Sequence, residues 1–254
     1  MEVKKDSVVV ILSGGQDSTT TLFWAKQRFK HVHAITFDYG QKHIRELQAA
    51  RKVAELANVD KHVFLKVGDI LGGTSPLTTG APVKQLESLA DAEEGVQSTF
   101  VPGRNLLFLT LAANYCYTQG ILHCVMGVCE ADYGGYPDCR MQFIVNAQNA
   151  VRLAMSAEDN DPFVDFRIHA PLMYKTKAEA VLMAVELGDR CMDALSYSHT
   201  AYGGEFPPTG RDHATLLRAK GFEEAGIPDP LVVRCAKMGL MLLPSTDNYK
   251  DVVL

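Results

Sequence analysis

Ser7-Val8-Val9-Val10-Ile11-Leu12-Ser13-Gly14-Gly15-Gln16-Asp17-Ser18 is the stretch on which the fold turns. Its first half is an unbroken apolar, mostly β-branched run, the pattern of a strand buried on both faces, as in a parallel sheet. Its second half breaks the run with two glycines and small polar residues. A helix is expected next, with Asp17, Ser18 and Thr19 to cap it and Leu22, Phe23 and Ala25 to give it an apolar side. A second apolar run, His31 to Phe37, completes a β-α-β unit.

Outward from this unit the alternation continues. Helical spacing runs from about Lys42 to Leu56 and from Asn105 to Thr118, and strand-like runs cover Lys61 to Val67 and Ile121 to Val128. Strands alternating with helices predict a doubly wound, mostly parallel α/β sheet, whose ligands sit at the carboxyl ends of the strands. Two stretches lack periodicity: Gly68 to Ser98, and Ser196 to Arg211, which is followed by a short helix at about His213 to Lys220. A chain of 254 residues, 47% hydrophobic, can bury one sizeable core. One domain is expected, with a nucleotide-binding core over residues 1–190 and a small helical extension over 191–254.

The formal charge of −5 gives no basic excess for a nucleic acid backbone, so a small solute is the expected partner. No spanning segment or leader is read at the N-terminus, and a cytoplasmic location is expected. Six scattered cysteines with no Cys-x-x-Cys pair support neither disulfides nor a zinc site.

At the head of a helix, free backbone N–H groups and the helix dipole favour an anion, and the two glycines let a phosphate approach closely. Ser13 and Ser18 add hydroxyls. Asp17 repels phosphate unless a cation lies between them, which points to Mg²⁺. The loop lacks the lysine of a Walker A motif and the spacing of a dinucleotide fingerprint.

Ser13-Gly14-Gly15-Gln16-Asp17-Ser18 resembles the Ser-Gly-Gly-x-Asp-Ser loop of ATP-pyrophosphatases, which cleave ATP between the α and β phosphates. Five further blocks, in order, resemble the QueC family of queuosine-precursor biosynthesis: Phe37 to Gln41, Phe100 to Asn105, Gly127 to Arg140, Pro171 to Met173 with Lys177 to Glu179, and Gly221 to Ile227. The resemblance runs from about Val8 to Asp229. It implies an ATP site formed by Leu12, Ser13, Gly14, Gly15, Gln16, Asp17, Ser18, Thr19, Thr20, Thr21 and Leu22 with Asp38, Gln41, Arg104 and Gly127. Ser13, Asp17, Ser18 and Lys177 would carry the chemistry, with Mg²⁺ held through Asp17 and the phosphates. It also implies a deazaguanine site drawn from Phe100, Pro102, Arg104, Asn105, Glu130, Asp132, Tyr136, Pro137 and Asp138, where an aromatic face and a carboxylate suit a guanine-like ring. Which carboxylate accepts from the ring is left open.

The chain departs from that family at one place. The family carries four zinc-binding cysteines, one beside a tyrosine and three in a Cys-x-x-Cys-x-x-Cys run before Leu-Arg-x-x-Gly. Here Leu217-Arg218-Ala219-Lys220-Gly221 remains, but the cysteine positions read Ala201, Thr209, Asp212 and Thr215. No zinc is expected, since none of these supplies a thiolate. Asp193, His199, Asp212 and His213 have irregular spacing for a substitute site.

The activity implied is ATP-dependent adenylation of a carboxylated deazaguanine, attack by ammonia, and conversion of the amide to a nitrile. Alternatives are a relative of the QueC-like proteins of antiphage operons, making the amide or joining the base to a protein amine, an inactive nucleotide-binding module, and a tRNA thiolase using Cys129 or Cys139. The oligomeric state, monomer or homodimer, is left open.

Overall fold

The computed structural model describes residues 2–40, 44–73, 75–92, 95–130, 135–156, 158 and 160–254. In chain order the elements are β1 (Ser7–Ile11), α1 (Gln16–Lys26), β2 (His31–Asp38), α2 (Ile44–Ala57), β3 (Lys61–Lys66), α3 (Pro76–Thr79), α4 (Arg104–Gln119), β4 (His123–Val125), α5 (Met141–Met155), β5 (Arg167–His169), α6 (Lys177–Glu186), α7 (Asp189–Leu195), α8 (His213–Glu224) and α9 (Pro230–Lys237). The five strands form one sheet in the order β3-β2-β1-β4-β5, and every pairing is parallel. This is the doubly wound architecture expected from the sequence.

β1 is buried throughout, and its alternation splits between two layers. Val9 and Ile11 pack with Leu109, Ala112 and Ile144, on the side of α4 and α5. Val8 and Val10 pack with Leu22, Ala50, Val53 and Leu195, on the side of α1, α2 and α7. Burial on both faces explains why the strand reads as a continuous apolar run. Its partners β2 and β4 lie on opposite sides, so the chain reverses its winding direction beside β1 and opens a crevice at the strand ends.

Several boundaries differ from the sequence expectation. β4 is three residues long, because Met126 and Val128 already belong to the loop entering the crevice. α8 runs four residues past Lys220. The cap of α1 is Gly15, with no side-chain cap, and Asp17 and Ser18 lie inside the first turn. A cap without a side chain leaves the first-turn N–H groups to an outside acceptor. Thr19, Thr20 and Thr21 return their hydroxyls to the carbonyls of Gly15, Gln16 and Ser18. Within residues 68–98 a short helix, α3, is capped by Ser75, and Ser75 Oγ also donates to the Thr99 carbonyl.

Candidate active site at the carboxyl edge of the sheet

A cavity of about 330 Å³ opens where β1, β2 and β4 end. It is lined by Ile11 to Ser13 at the end of β1, Phe37 and Tyr39 at the end of β2, and Met126 to Glu130 after β4, together with Arg104, Tyr136, Lys177, His199 and Tyr202. That size is in the range of small-molecule sites.

The loop at its floor is self-braced. Ser13 N–H donates to Ser18 Oγ at 3.2 Å, the two hydroxyls lie 3.0 Å apart, and Gly15 N–H donates to Ser13 Oγ at 3.2 Å. Gly14 takes φ +91°, and a Cβ on it would lie 2.6 Å from both the Glu46 carbonyl and the Ala50 nitrogen, so only glycine fits between β1 and α2. The Gly14 carbonyl accepts from His199 N–H at 2.8 Å, which ties the loop to the segment after α7.

Lys177, the first residue of α6, reaches Asp17 Oδ2 at 2.7 Å. Thr176 and Glu179 form a capping box that fixes the start of this helix. Gly221 of α8 lies so close that a Cβ there would meet Lys177 Cβ at 2.7 Å. Asp17 Oδ1 and Gln16 Nε2 are buried without a hydrogen-bond partner. Such atoms are costly unless something else meets them. A hard cation at Asp17 and phosphate oxygens at the helix head would do so, and the oxygen-rich donor set suits Mg²⁺. The residues present therefore fit ATP with its metal.

Of the residues expected at the ATP site, Leu12, Ser13, Gly15, Gln16, Asp17, Ser18, Arg104 and Gly127 line the cavity. Leu22 belongs to the core, and Asp38 is half-buried with its Oδ1 accepting from Gly40 N–H. Gln41 and Asp132 lie outside the described residues.

Among the residues expected at the ring site, Arg104, Asn105, Glu130 and Tyr136 line the same cavity, whereas Phe100, Pro102, Pro137 and Asp138 do not, Pro102 and Pro137 being exposed and Asp138 buried. Phe100 stacks on Tyr136 at 5.3 Å and Thr99 Oγ1 lies 2.7 Å from the Tyr136 hydroxyl, so these two orient that ring. Asp138 is buried and accepts from Asn105 N–H; burial raises its pKa against the opposing effects of that bond and of Arg104. Glu130 Oε1 accepts from Met141 N–H at 2.7 Å, at the head of α5.

One cavity carboxylate was not on the sequence-derived list. Glu46, in the first turn of α2, lines the cavity near Arg104 and Tyr39. Burial pushes its pKa up to about 7, with Arg104 opposing. Tyr39 is pushed up to about 12 by burial and by Glu46, with Arg104 opposing. In sequence Glu46 is one acid among several on an amphipathic helix, and only the turn of α2 over Gly14 distinguishes it.

The family model described as "Queuosine biosynthesis protein QueC" matches residues 7–226. The chain belongs to the QueC family. A Gloeobacter violaceus protein called 7-cyano-7-deazaguanine synthase is 47% identical over 224 residues, covering 88% of this chain and 94% of that protein. Proteins of the same name from Chromobacterium violaceum (46% identical, covering 92% and 96%) and Staphylococcus epidermidis strain RP62A (38%, covering 87% and 94%) are also similar to it. The family expectation is thus borne out, and none of the alternative activities is favoured.

Within this QueC member, the positions expected to lack thiolates do other work. Asp212 and Thr215 form a capping box at the head of α8, and Ala201 is packed into the interior. Burial raises the Asp212 pKa against the Thr215 bonds. Two turns along α8, Arg218 is 3% exposed. It binds Asp229 at 2.6 and 2.8 Å, Ser198 Oγ at 2.7 Å, Thr200 Oγ1 at 2.9 Å and the Leu195 carbonyl at 3.2 Å. Outside this hub, Arg234 lies over Tyr197 and Phe206, with Arg45 over the same Phe206 ring. Among the described residues no three His, Cys, Asp or Glu side chains are gathered as for a metal ion. Nor is any described helix long and apolar enough to cross a membrane.

Proposed function

We propose that this chain makes 7-cyano-7-deazaguanine from 7-carboxy-7-deazaguanine, ammonia and two ATP, working as one domain. The observation that carries the reading is the Ser13–Ser18 loop with its unmatched Asp17 Oδ1, set in a cavity with a separate aromatic wall, in a chain whose relatives bear that enzyme name over nearly their full length.

The substrate carboxylate is ionised at neutral pH, so its oxygen attacks the α-phosphorus with no general base. Pyrophosphate leaves and the acyl group is left on AMP. Ammonia adds to that carbonyl carbon, AMP departs, and a proton goes to solvent, giving the amide. In a second round the amide oxygen attacks the α-phosphorus of another ATP, pyrophosphate leaves, and loss of AMP and of both amide N–H protons leaves the nitrile.

What this chain contributes is position and charge. Gln16 to Ser18 present first-turn N–H groups to the leaving phosphates, Ser13 and Ser18 add hydroxyls, and Lys177 brings positive charge beside Asp17. Mg²⁺, held through Asp17 and the phosphates, would neutralise charge on the departing pyrophosphate. Tyr136 offers a ring face held by Phe100 and Thr99.

Mass spectrometry of a reaction containing the carboxylated base, ATP and ammonia tests the proposal. The expected product is the nitrile, with two AMP formed for each. Amide accumulating over several turnovers without nitrile would overturn it.

A further inference from the structure

We propose that Glu46 and Arg104 together read the guanine-type edge of the substrate ring, Glu46 accepting from N1–H and the exocyclic amine while Arg104 donates to the ring carbonyl. This deepens the deazaguanine reading and rests on it.

Among the described residues, three carboxylates line the cavity: Asp17, Glu46 and Glu130. Asp17 holds Lys177 within the phosphate loop. Glu130 is exposed and takes the Met141 N–H. Asp138 is buried outside the cavity lining and accepts from Asn105 N–H. Glu46 differs from all of these, because no hydrogen bond or ion pair from another described residue reaches its carboxylate. Arg104 lines the same cavity as its charged neighbour, with Tyr39 in the field of both.

A carboxylate beside a guanidinium offers two acceptors next to donors. The edge of a 2-amino-6-oxopurine-type ring presents the complement: a carbonyl oxygen, then two parallel N–H groups. An adenine edge has its donor and acceptor the other way round and does not match. The neighbouring surface suits a flat ring, since Phe37 and Phe108 are stacked at 4.2 Å and Tyr39 leans on Phe108 at 5.4 Å. The Glu46 backbone is set close against the phosphate loop, since a Cβ on Gly14 would lie 2.6 Å from its carbonyl. Burial that holds the empty carboxyl near neutral pH also fits, as two N–H donors would favour its ionised form.

The test pairs the carboxylated deazaguanine with its analogue lacking the 2-amino group, on wild type and on Glu46→Gln. AMP formation gives kcat and KM for each base and for ATP, and calorimetry gives Kd. Wild type is expected to prefer the 2-amino base by roughly 10–100-fold. Glu46→Gln should raise KM and Kd for that base by a similar factor, bring the preference close to one, and leave KM for ATP within about twofold. A carboxylate that only favours the head of α2 would change melting and leave the preference intact, which overturns the proposal. A fall in kcat with unchanged KM and preference would overturn it too, as would a parallel rise in KM for ATP. If wild type forms no AMP with the carboxylated base, the functional proposal itself fails and this inference goes with it. Turnover by wild type with no preference between the bases sinks the inference alone.

Discussion

The Ser13–Ser18 loop and the Ser196–Asp229 region sit against each other, joined by the His199–Gly14 hydrogen bond, yet they differ in how far they satisfy their polar atoms. The loop leaves Asp17 Oδ1 and Gln16 Nε2 buried and unmatched and caps its helix with a bare glycine. In the second region Arg218 meets four partners, Asp229 is bound on both oxygens, and Asp212 and Thr215 form a capping box that leaves Asp212 Oδ2 buried and unmatched. Unmatched groups in a native interior call for an outside partner, whereas matched ones hold the chain together. The first region is built for a ligand and the second for support, although both carry the family's motifs.

Removing Arg218 should break the supporting side most severely. Arg218→Ala strands the Asp229 carboxylate in the interior, and a loss of about 3–5 kcal/mol is expected in urea unfolding. A loss below about 1 kcal/mol would mean that the hub is incidental.

Asp17→Ala should do the reverse, lowering AMP formation on the order of 10²–10³-fold while the melting curve stays near wild type. Because the variant also breaks the Lys177–Asp17 ion pair, a collapse in stability would show that the pair, and not ligand binding, is the main role of Asp17.

A smaller effect is expected from Glu46, whose carboxyl titrates near 7 in the folded chain against 4.5 as its ordinary value. Between these values the native state holds a proton that the unfolded chain has lost, so this group costs stability increasingly as pH rises from 4.5 through 7. Glu46→Gln should therefore raise Tm at pH 8 but not at pH 4, by an amount worth less than about 1 kcal/mol after solvent screening. Equal gains at both pH values would assign the effect to something other than the charge.

The smallest expected change is none. Elemental analysis should find well under one zinc per chain, and a chelator should leave Tm where it was, because Ala201, Thr209, Asp212 and Thr215 offer no thiolate. A chelator-induced drop would show that the supporting side relies on metal after all.

The sequence made β1, its loop and α1 legible because burial on both faces writes a continuous apolar run and the phosphate loop is one contiguous hexapeptide. β5 was not legible: it is three residues long, and its place at the sheet edge is set by pairing with β4 across more than 40 residues of chain. The ring site was legible only in part. Glu130 and Asp138 carry the right chemistry in the family's block, but their hydrogen bonds to Met141 and Asn105 commit them locally, which no spacing reveals. Glu46 was missed for the opposite reason, being an ordinary first-turn acid until α2 is laid across Gly14.

The bond from His199 to Gly14 spans most of the chain. The nucleotide loop leaves the ribosome before the segment beyond α7, and one of its carbonyls finds its partner only after that segment has emerged and docked. Contacts so distant in sequence form late and slowly. A nascent or prematurely terminated chain that ends before this point would carry the whole Ser13–Ser18 motif without the hydrogen bond that ties it to the segment after α7.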